Sequence, residues 1–80
     1  MVNAQLVKAA RIIVGWSQQD LASRCGFSRD TISQLESNLT KPRERTILKI
    51  IDVFYEAGVE LLDEDLSMTI RVNKSLMSQE

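Results

Sequence analysis

The chain contains no histidine and a single cysteine, Cys25, among its 80 residues. One cysteine cannot form a disulfide within the chain, and without histidine or a second cysteine the usual ligands of a structural zinc ion are missing. The lack of histidine also excludes acid–base catalysis that depends on an imidazole. We therefore expect no enzymatic activity, no bound metal and no cofactor.

Long apolar runs and an N-terminal signal pattern are lacking too. A membrane span needs about 18 consecutive apolar residues, and no run in this sequence approaches that length. Hydrophobic residues make up 44 % of the chain and charged residues 26 %, as in an ordinary globular domain. We expect one cytoplasmic domain without membrane contact, small enough that oligomerisation would help to stabilise it.

The formal net charge is only −1, but the charges are segregated along the chain. Residues 1–50 hold eight Lys or Arg and four Asp or Glu, whereas residues 51–80 hold two and seven. A basic first part suggests a polyanionic partner, with the acidic second part facing away from it. Chance segregation on a solvated surface is the alternative.

Apolar periodicity and capping residues predict four helices. Their predicted ranges are residues 5–14, 18–25, 28–36 and 44–56. Ser17 and Ser28 are N-cap candidates for the second and third helices, and Gly15 and Gly26 end the first and second. The side chains expected to face the core are Leu6, Ala9, Ala10, Ile13, Leu21, Ala22, Ile32, Leu35, Ile47, Leu48, Ile51 and Phe54.

The segment after the fourth helix has a different pattern. Residues 66–72 alternate apolar and polar side chains, which predicts a half-buried strand. Residues 59–62 are compatible with either a last helical turn or a short strand. Residues 73–80 are polar, and we expect them to be frayed.

Two short helices joined by a glycine-containing turn are typical of a helix-turn-helix. Steep packing of the two helices needs a small residue in the first helix, and Ala22 supplies it. Gly26 suits the positive φ of the turn, and Ile32 presents an apolar side chain back to the first helix. The set of three at this spacing is more specific than any one of them.

The sequence resembles the lambda-repressor-like, Xre-type helix-turn-helix proteins of phages and bacteria over about residues 6–62. The matching segments are Gly15-Trp16-Ser17-Gln18-Gln19-Asp20-Leu21-Ala22, Gly26-Phe27-Ser28, Thr31-Ile32-Ser33-Gln34-Leu35-Glu36 and Lys41-Pro42. Asn38 stands where the family usually has glycine, and asparagine is the next-best residue for a left-handed turn. The segment after Asp65 has no counterpart in the minimal domain.

The resemblance implies an all-α fold: a compact bundle of about five helices whose third helix enters the DNA major groove. The resemblance does not cover the last segment, where the alternating pattern adds a short C-terminal strand or hairpin. We therefore expect residues 1–65 to form the DNA-binding domain and residues 66–80 a strand and tail for dimerisation. The implied function is a cytoplasmic, sequence-specific transcriptional regulator of a bacterial cell or phage-infected host, and we expect it to be a repressor. A restriction–modification controller, an antitoxin, and a protein-interaction module that has lost DNA binding are the alternatives. No small-molecule effector is expected.

Base contacts are predicted on the outer face of the third helix. Arginine pairs with guanine and glutamine with adenine in the major groove, which makes Arg29 and Gln34 the strongest candidates. Asp30 can accept from the cytosine amino group, or can simply favour the positive helix end. The remaining candidates on this helix are Thr31 and Ser33.

Phosphate contacts are predicted on both sides of the third helix. By resemblance, Gln18 bonds a DNA phosphate and braces the third helix, the alternative being an exposed glutamine without a role. Ser28 is both helix cap and possible DNA contact. Small polar and basic side chains in the loop after the third helix suit the DNA backbone, although a solvated loop is the simpler alternative. These loop residues are Ser37, Asn38, Thr40, Lys41 and Arg43.

Three further residues are expected to be structural. Trp16 precedes a helix cap, where an apolar side chain usually packs against the core. Glu36 is expected to pair with a nearby arginine. Cys25 is expected to be a semi-buried small apolar residue without a redox role.

A double-stranded DNA operator and a second copy of the chain are the expected partners. One recognition helix contacts only a few base pairs, so selection of a genomic site favours a two-fold dimer. The predicted dimer residues are the apolar face of the last strand: Leu66, Met68, Ile70 and Val72. Pairing of this strand with residues 59–62 in the same chain is the alternative, and such a hairpin would itself offer a dimer surface.

Overall fold

A computed structural model describes residues 3–74 as four helices followed by a β-hairpin. The elements are α1 (Ala4–Val14), α2 (Gln18–Cys25), α3 (Arg29–Glu36), α4 (Glu44–Glu56), β1 (Val59–Asp63) and β2 (Met68–Val72). The helical bundle with a C-terminal hairpin is confirmed, but the described residues form four helices, not about five. Gly58, with φ of 89°, separates α4 from residues that pair as a strand. Residues 75–80 of the predicted tail lie outside the described residues.

Side-chain caps begin the first three helices. Asn3 and Ser28 each accept a hydrogen bond from the N–H three residues on, at 2.9 and 3.2 Å. Ser17 and Asp20 form a reciprocal capping box: Oγ of Ser17 accepts from the Asp20 N–H (3.0 Å), and the Asp20 carboxylate accepts from the Ser17 N–H (2.9 Å). Each cap satisfies a first-turn donor and contributes about 1 kcal/mol to stability.

Left-handed residues follow the first three helices. Gly15 and Gly26 both have φ of 79°, and their N–H groups close the last turns of α1 and α2. Asn38 has φ of 62°, so the prediction that asparagine replaces glycine in a left-handed turn here is confirmed. The turn redirects the chain into the loop before α4.

Every element except β2 contributes fully buried apolar side chains to the core. Its buried members are Leu6, Val7, Ala10, Leu21, Ala22, Cys25, Ile32, Leu35, Ile47, Ile50, Val53, Phe54, Val59 and Leu61. Two of the predicted core residues, Ile13 and Leu48, are exposed. The buried faces of α1 and α4 are centred one position away from the predicted stripes, on Val7 and Ala10 and on Ile50 and Val53, and this leaves Ile13 and Leu48 at the edge.

β1 and β2 pair antiparallel within one chain. Of the two pairings considered for the last strand, the structure therefore contains the one with residues 59–62 of the same chain. Val59 lies opposite Val72, Leu61 opposite Ile70 and Asp63 opposite Met68. β1 packs on α4, and both strands contact α1. Ile70 packs against the core from β2.

Leu66 does not belong to the strand face on which it was predicted. It lies in the turn between the strands and is fully exposed, because Glu64 and Ser67 exchange backbone hydrogen bonds (2.8 and 3.3 Å) and close a two-residue turn around it. Within residues 3–74, no helix has the length and apolarity that crossing a bilayer requires.

Candidate nucleic-acid interface

α2 and α3 pack as the predicted helix-turn-helix. Leu21 and Ala22 of α2 and Ile32 of α3 are fully buried between them. The turn is closed by a hydrogen bond from the Phe27 N–H to the Ala22 carbonyl (2.9 Å), and Gly26 supplies the positive φ. The relative orientation of the two helices is therefore fixed by apolar packing and by the turn itself.

A buried ion pair fixes the C-terminal end of α3. Glu36 accepts two hydrogen bonds from Arg11, at 2.8 Å from Nε and 3.1 Å from Nη2. The two side chains are 13 % and 3 % exposed, and Nη1 of Arg11 also donates to the Trp16 carbonyl (2.8 Å). The predicted pairing of Glu36 with an arginine is confirmed, and the partner comes from α1.

Gln18 joins the same carboxylate from α2. Its side-chain amide donates to Oε1 of Glu36 at 3.2 Å, so that one carboxylate links α1, α2 and α3. The contact matches the predicted support of α3 by Gln18. The backbone N–H of Gln18, in the first turn of α2, has no acceptor within the helix and is free for an anion.

The outer face of α3 carries polar side chains, most of them exposed. Arg29, Asp30 and Gln34 are exposed and Ser33 is half-buried, while Ile32 and Leu35 occupy the opposite, buried face. The exposed set combines two donor-rich side chains with one carboxylate. These groups match the hydrogen-bonding edges of guanine, adenine and cytosine in the major groove.

Two hydroxyl groups meet at the N-terminus of α3. The Oγ atom of Ser28 and the Oγ1 atom of Thr31 are 2.9 Å apart. Ser28 is exposed and Thr31 half-buried, so Thr31 lies nearer the core. First-turn N–H groups and hydroxyls together form a site suited to phosphate oxygen.

The loop after α3 presents a second polar surface. All five of its predicted contact residues, Ser37, Asn38, Thr40, Lys41 and Arg43, are exposed. Asn38 and Lys41 also line a groove with Asn3 and Ala4, so the loop lies beside the N-terminus of α1. Basic side chains in this position suit the DNA backbone.

Two of the eight basic residues among residues 1–50 contact other parts of the protein. Arg11 pairs with Glu36, and the guanidinium carbon of Arg24 lies 4.3 Å from the centre of the Trp16 ring. Trp16 stacks on Phe54, with ring centres 5.4 Å apart, as expected for a residue that packs against the core. Because Arg11 and Arg24 are engaged in these contacts, they contribute less than the other basic residues to the positive charge available for DNA.

Two titratable groups have shifted pKa values. Hydrogen bonds from the backbone and side chain of Ser17 lower the pKa of the Asp20 carboxyl below its usual value of 3.8. Burial raises the pKa of the Cys25 thiol, which agrees with an apolar structural role. Neither group lies on the outer face of α3.

The structural roles of Arg11 and Arg24 were not predicted individually. Arg11 lies 25 positions before Glu36, and no local spacing rule connects them. Arg24 lies eight positions after Trp16, across a helix cap. The only sequence signal was the expectation that Glu36 needs a cationic partner.

Comparison with known protein families gives a match to the helix-turn-helix region. A family model described as Helix-turn-helix matches residues 7–54, which is more than half of the chain and spans α2, the turn and α3. No curated protein matches the sequence.

Proposed function

Because the chain belongs to the lambda-repressor-like, Xre-type family of DNA-binding helix-turn-helix proteins, we propose that it is a sequence-specific repressor of transcription. It binds double-stranded DNA as a dimer, with α3 in the major groove of each half of an inverted-repeat operator. Repression follows from occupation of the site and needs no cofactor.

The observation that carries this proposal is the two-sided character of α3. Its inner face is apolar and buried, whereas its outer face exposes Arg29, Asp30 and Gln34. In the proposed complex Arg29 bonds a guanine, Gln34 an adenine, and Asp30 a cytosine amino group. Ser33 and Thr31 contact the neighbouring base edges or phosphates.

Phosphate contacts position α3 in the groove. Gln18 approaches one phosphate through its first-turn N–H while its side chain stays on Glu36. Ser28 approaches another at the N-terminus of α3. The exposed loop binds the backbone on the other side of the groove, through Ser37, Asn38, Lys41 and Arg43.

Dimerisation through residues 59–72 belongs to the same proposal. The hairpin packs on α4 and α1, while α3 packs on α2 and α1, so the hairpin is available without covering the outer face of α3. Met68, Ile70 and Val72 lie on one strand of it, and Met68 remains 49 % exposed. Two subunits with half-sites about one helical turn apart then select a site that one subunit could not.

The test is selection of bound sequences from a random double-stranded DNA pool with the full chain. We expect enrichment of an inverted repeat with two half-sites. Enrichment of a single unrepeated site would contradict the dimer. Absence of any enriched sequence would contradict the proposal and favour a protein-interaction module that has lost DNA binding.

A further inference from the structure

β2 has a free edge. Among the described residues the sheet contains two strands, so β2 is paired with β1 on one side and with no strand on the other. An edge strand presents a row of N–H and C=O groups, which is a template for another strand.

The hydrogen-bond pattern identifies the groups at that edge. Glu64 and Ser67 exchange both backbone bonds, and the Asn73 N–H donates to the Gly58 carbonyl at 2.6 Å. Hydrogen-bonded and non-hydrogen-bonded pairs alternate along an antiparallel ladder. The register therefore directs the N–H and C=O groups of three residues away from β1: Met68, Ile70 and Val72.

β2 lacks the features that usually block an edge from pairing. It contains no proline, no glycine and no charge on its core-facing side, and three of its five residues are β-branched. Its single charged residue, Arg71, lies on the outer side of the sheet and pairs with Glu60 of the same chain at 3.1 Å.

We infer that β2 pairs antiparallel with β2 of a second copy of this chain, about a two-fold axis at Ile70, to form a continuous four-stranded sheet. The inference rests on the proposed dimer and specifies its contact. Pairing at this register uses all three outward-directed residues, and each hydrogen-bonded pair exchanges two bonds, which gives about six bonds between chains.

The register is self-complementary on both faces of the sheet. On the core-facing side, Ile70 meets the partner's Ile70, and Met68 meets the partner's Val72. On the outer side, Thr69 meets the partner's Arg71, so no like charges stand directly opposite each other. If the register between the two β2 strands shifted by one residue, backbone groups that point away from β1 would lie opposite residues whose backbone groups point toward β1. The hydrogen bonds between the chains could then not form, so this register is excluded. This match of apolar with apolar and neutral with charged side chains favours a second copy over an unrelated strand.

A charge pair at position 69 tests the contact without disturbing the core. Thr69 is exposed, and its opposite residue within the chain is Leu62. In the dimer, Thr69→Arg sets a like charge against the partner's Arg71, and Thr69→Glu sets an opposite charge there; each pair occurs twice. We expect Thr69→Arg to raise the dissociation constant of the dimer by roughly 2- to 30-fold and Thr69→Glu to lower it by a comparable factor. Sedimentation equilibrium of the full chain measures this constant.

Cysteine pairing between two variants tests the register. Residues 69 and 71 of opposite chains form a non-hydrogen-bonded pair with Cα atoms about 4.5 Å apart, within disulfide range. Residue 69 and its own copy are diagonal neighbours about 7–8 Å apart, which is too far. We therefore expect Thr69→Cys mixed with Arg71→Cys to give a covalent dimer under mild oxidation, and much less from either variant alone. Cys25 is buried and does not compete.

These outcomes separate the edge contact from the proposed function. A monomeric chain, or a dimer whose affinity is the same in both Thr69 variants and which gives no mixed disulfide, overturns the edge pairing. If the chain is a dimer that neither responds to the Thr69 variants nor gives the mixed disulfide, but still selects an inverted repeat, the edge pairing is wrong and the repressor proposal stands. Conversely, a mixed disulfide together with no enriched DNA sequence supports the edge pairing and overturns the repressor.

Discussion

The helix-turn-helix, residues 18–36, and the hairpin, residues 59–72, expose different kinds of surface. α3 turns its apolar side chains inward and leaves Arg29 and Gln34 exposed on its outer face. The hairpin leaves Met68 half-exposed, together with a row of backbone donors and acceptors. Side-chain donors suit bases and phosphates, whereas an open strand edge suits another strand. The comparison suggests that DNA binding and self-association occupy separate surfaces.

The two regions also differ in how their ion pairs are placed. The Arg11–Glu36 pair is almost fully buried and joins elements far apart in the sequence, whereas the side chains of Arg71 and Glu60 are 69 % and 38 % exposed. Solvent screens the second pair and not the first. Stability should therefore depend strongly on one pair and weakly on the other.

Removal of the buried carboxylate should have the largest effect. Glu36→Ala leaves Arg11 buried without its partner, and we expect it to lower the free energy of unfolding by about 3–5 kcal/mol, measured by urea denaturation. The matched control is Glu60→Ala in the exposed pair, which should cost less than about 1 kcal/mol. Equal costs for the two substitutions would show that the contrast between the regions is wrong.

Arg29→Ala should lower sequence specificity without affecting the hairpin. We expect a loss of roughly 1–3 kcal/mol at one base pair of each half-site, with the other positions unchanged. Competition between operators that differ at single positions measures this. Sedimentation of the same variant should give an unchanged dimer affinity. A uniform loss at all positions would place Arg29 on a phosphate instead.

Lys41→Ala should give that uniform loss. The side chain lies in the exposed loop, and a phosphate contact there neutralises charge without distinguishing bases. We expect weaker binding to all sequences and a slope of log affinity against log salt that is shallower by about 0.9 per subunit. Titrations at several salt concentrations test this, and an unchanged slope would remove Lys41 from the interface.

The capping box of α2 should give the smallest effect, which appears in how the free energy of unfolding changes as the pH is lowered. The pKa of Asp20 is lowered in the folded chain, so its stabilising contribution is present above pH 3.8 and is lost as the pH falls through the folded-state pKa. Asp20→Asn should therefore lose less stability than the parent chain when urea unfolding is repeated at decreasing pH. If the free energy of unfolding fell equally with pH in both chains, the lowered pKa of Asp20 would not contribute to the acid dependence of stability.

Local signals explain which parts of this fold could be predicted from sequence. The bounds of α2 agree with the prediction because its serine cap and its glycine stop both lie next to the segment. The bounds of α4, which has no side-chain cap, agree because its apolar period lies within the segment. The left-handed turn at Asn38 was predicted from the resemblance, because the family usually has glycine there and asparagine is the next-best residue for that conformation. The outer face of α3 follows from its helical period once Ile32 and Leu35 are assigned to the core.

Features that depend on distant partners were not predictable. Residues 59–63 are a strand because β2 lies beside them, and their own sequence has no clear alternation. The exposure of Ile13 and Leu48 depends on where neighbouring elements pack. The Arg11 contact spans 25 positions and leaves no periodic signal. The expected fifth helix came from the resemblance and not from any local signal in this chain.

The most direct test of two separate surfaces is the ratio of affinities for the selected operator and for one half-site alone. We expect Thr69→Arg to lower this ratio by weakening binding to the full operator while half-site binding stays the same. Arg29→Ala should weaken binding to both DNAs. If Thr69→Arg weakened half-site binding as much as operator binding, the hairpin edge would act through the DNA surface itself, and the separation of the two functions would be contradicted.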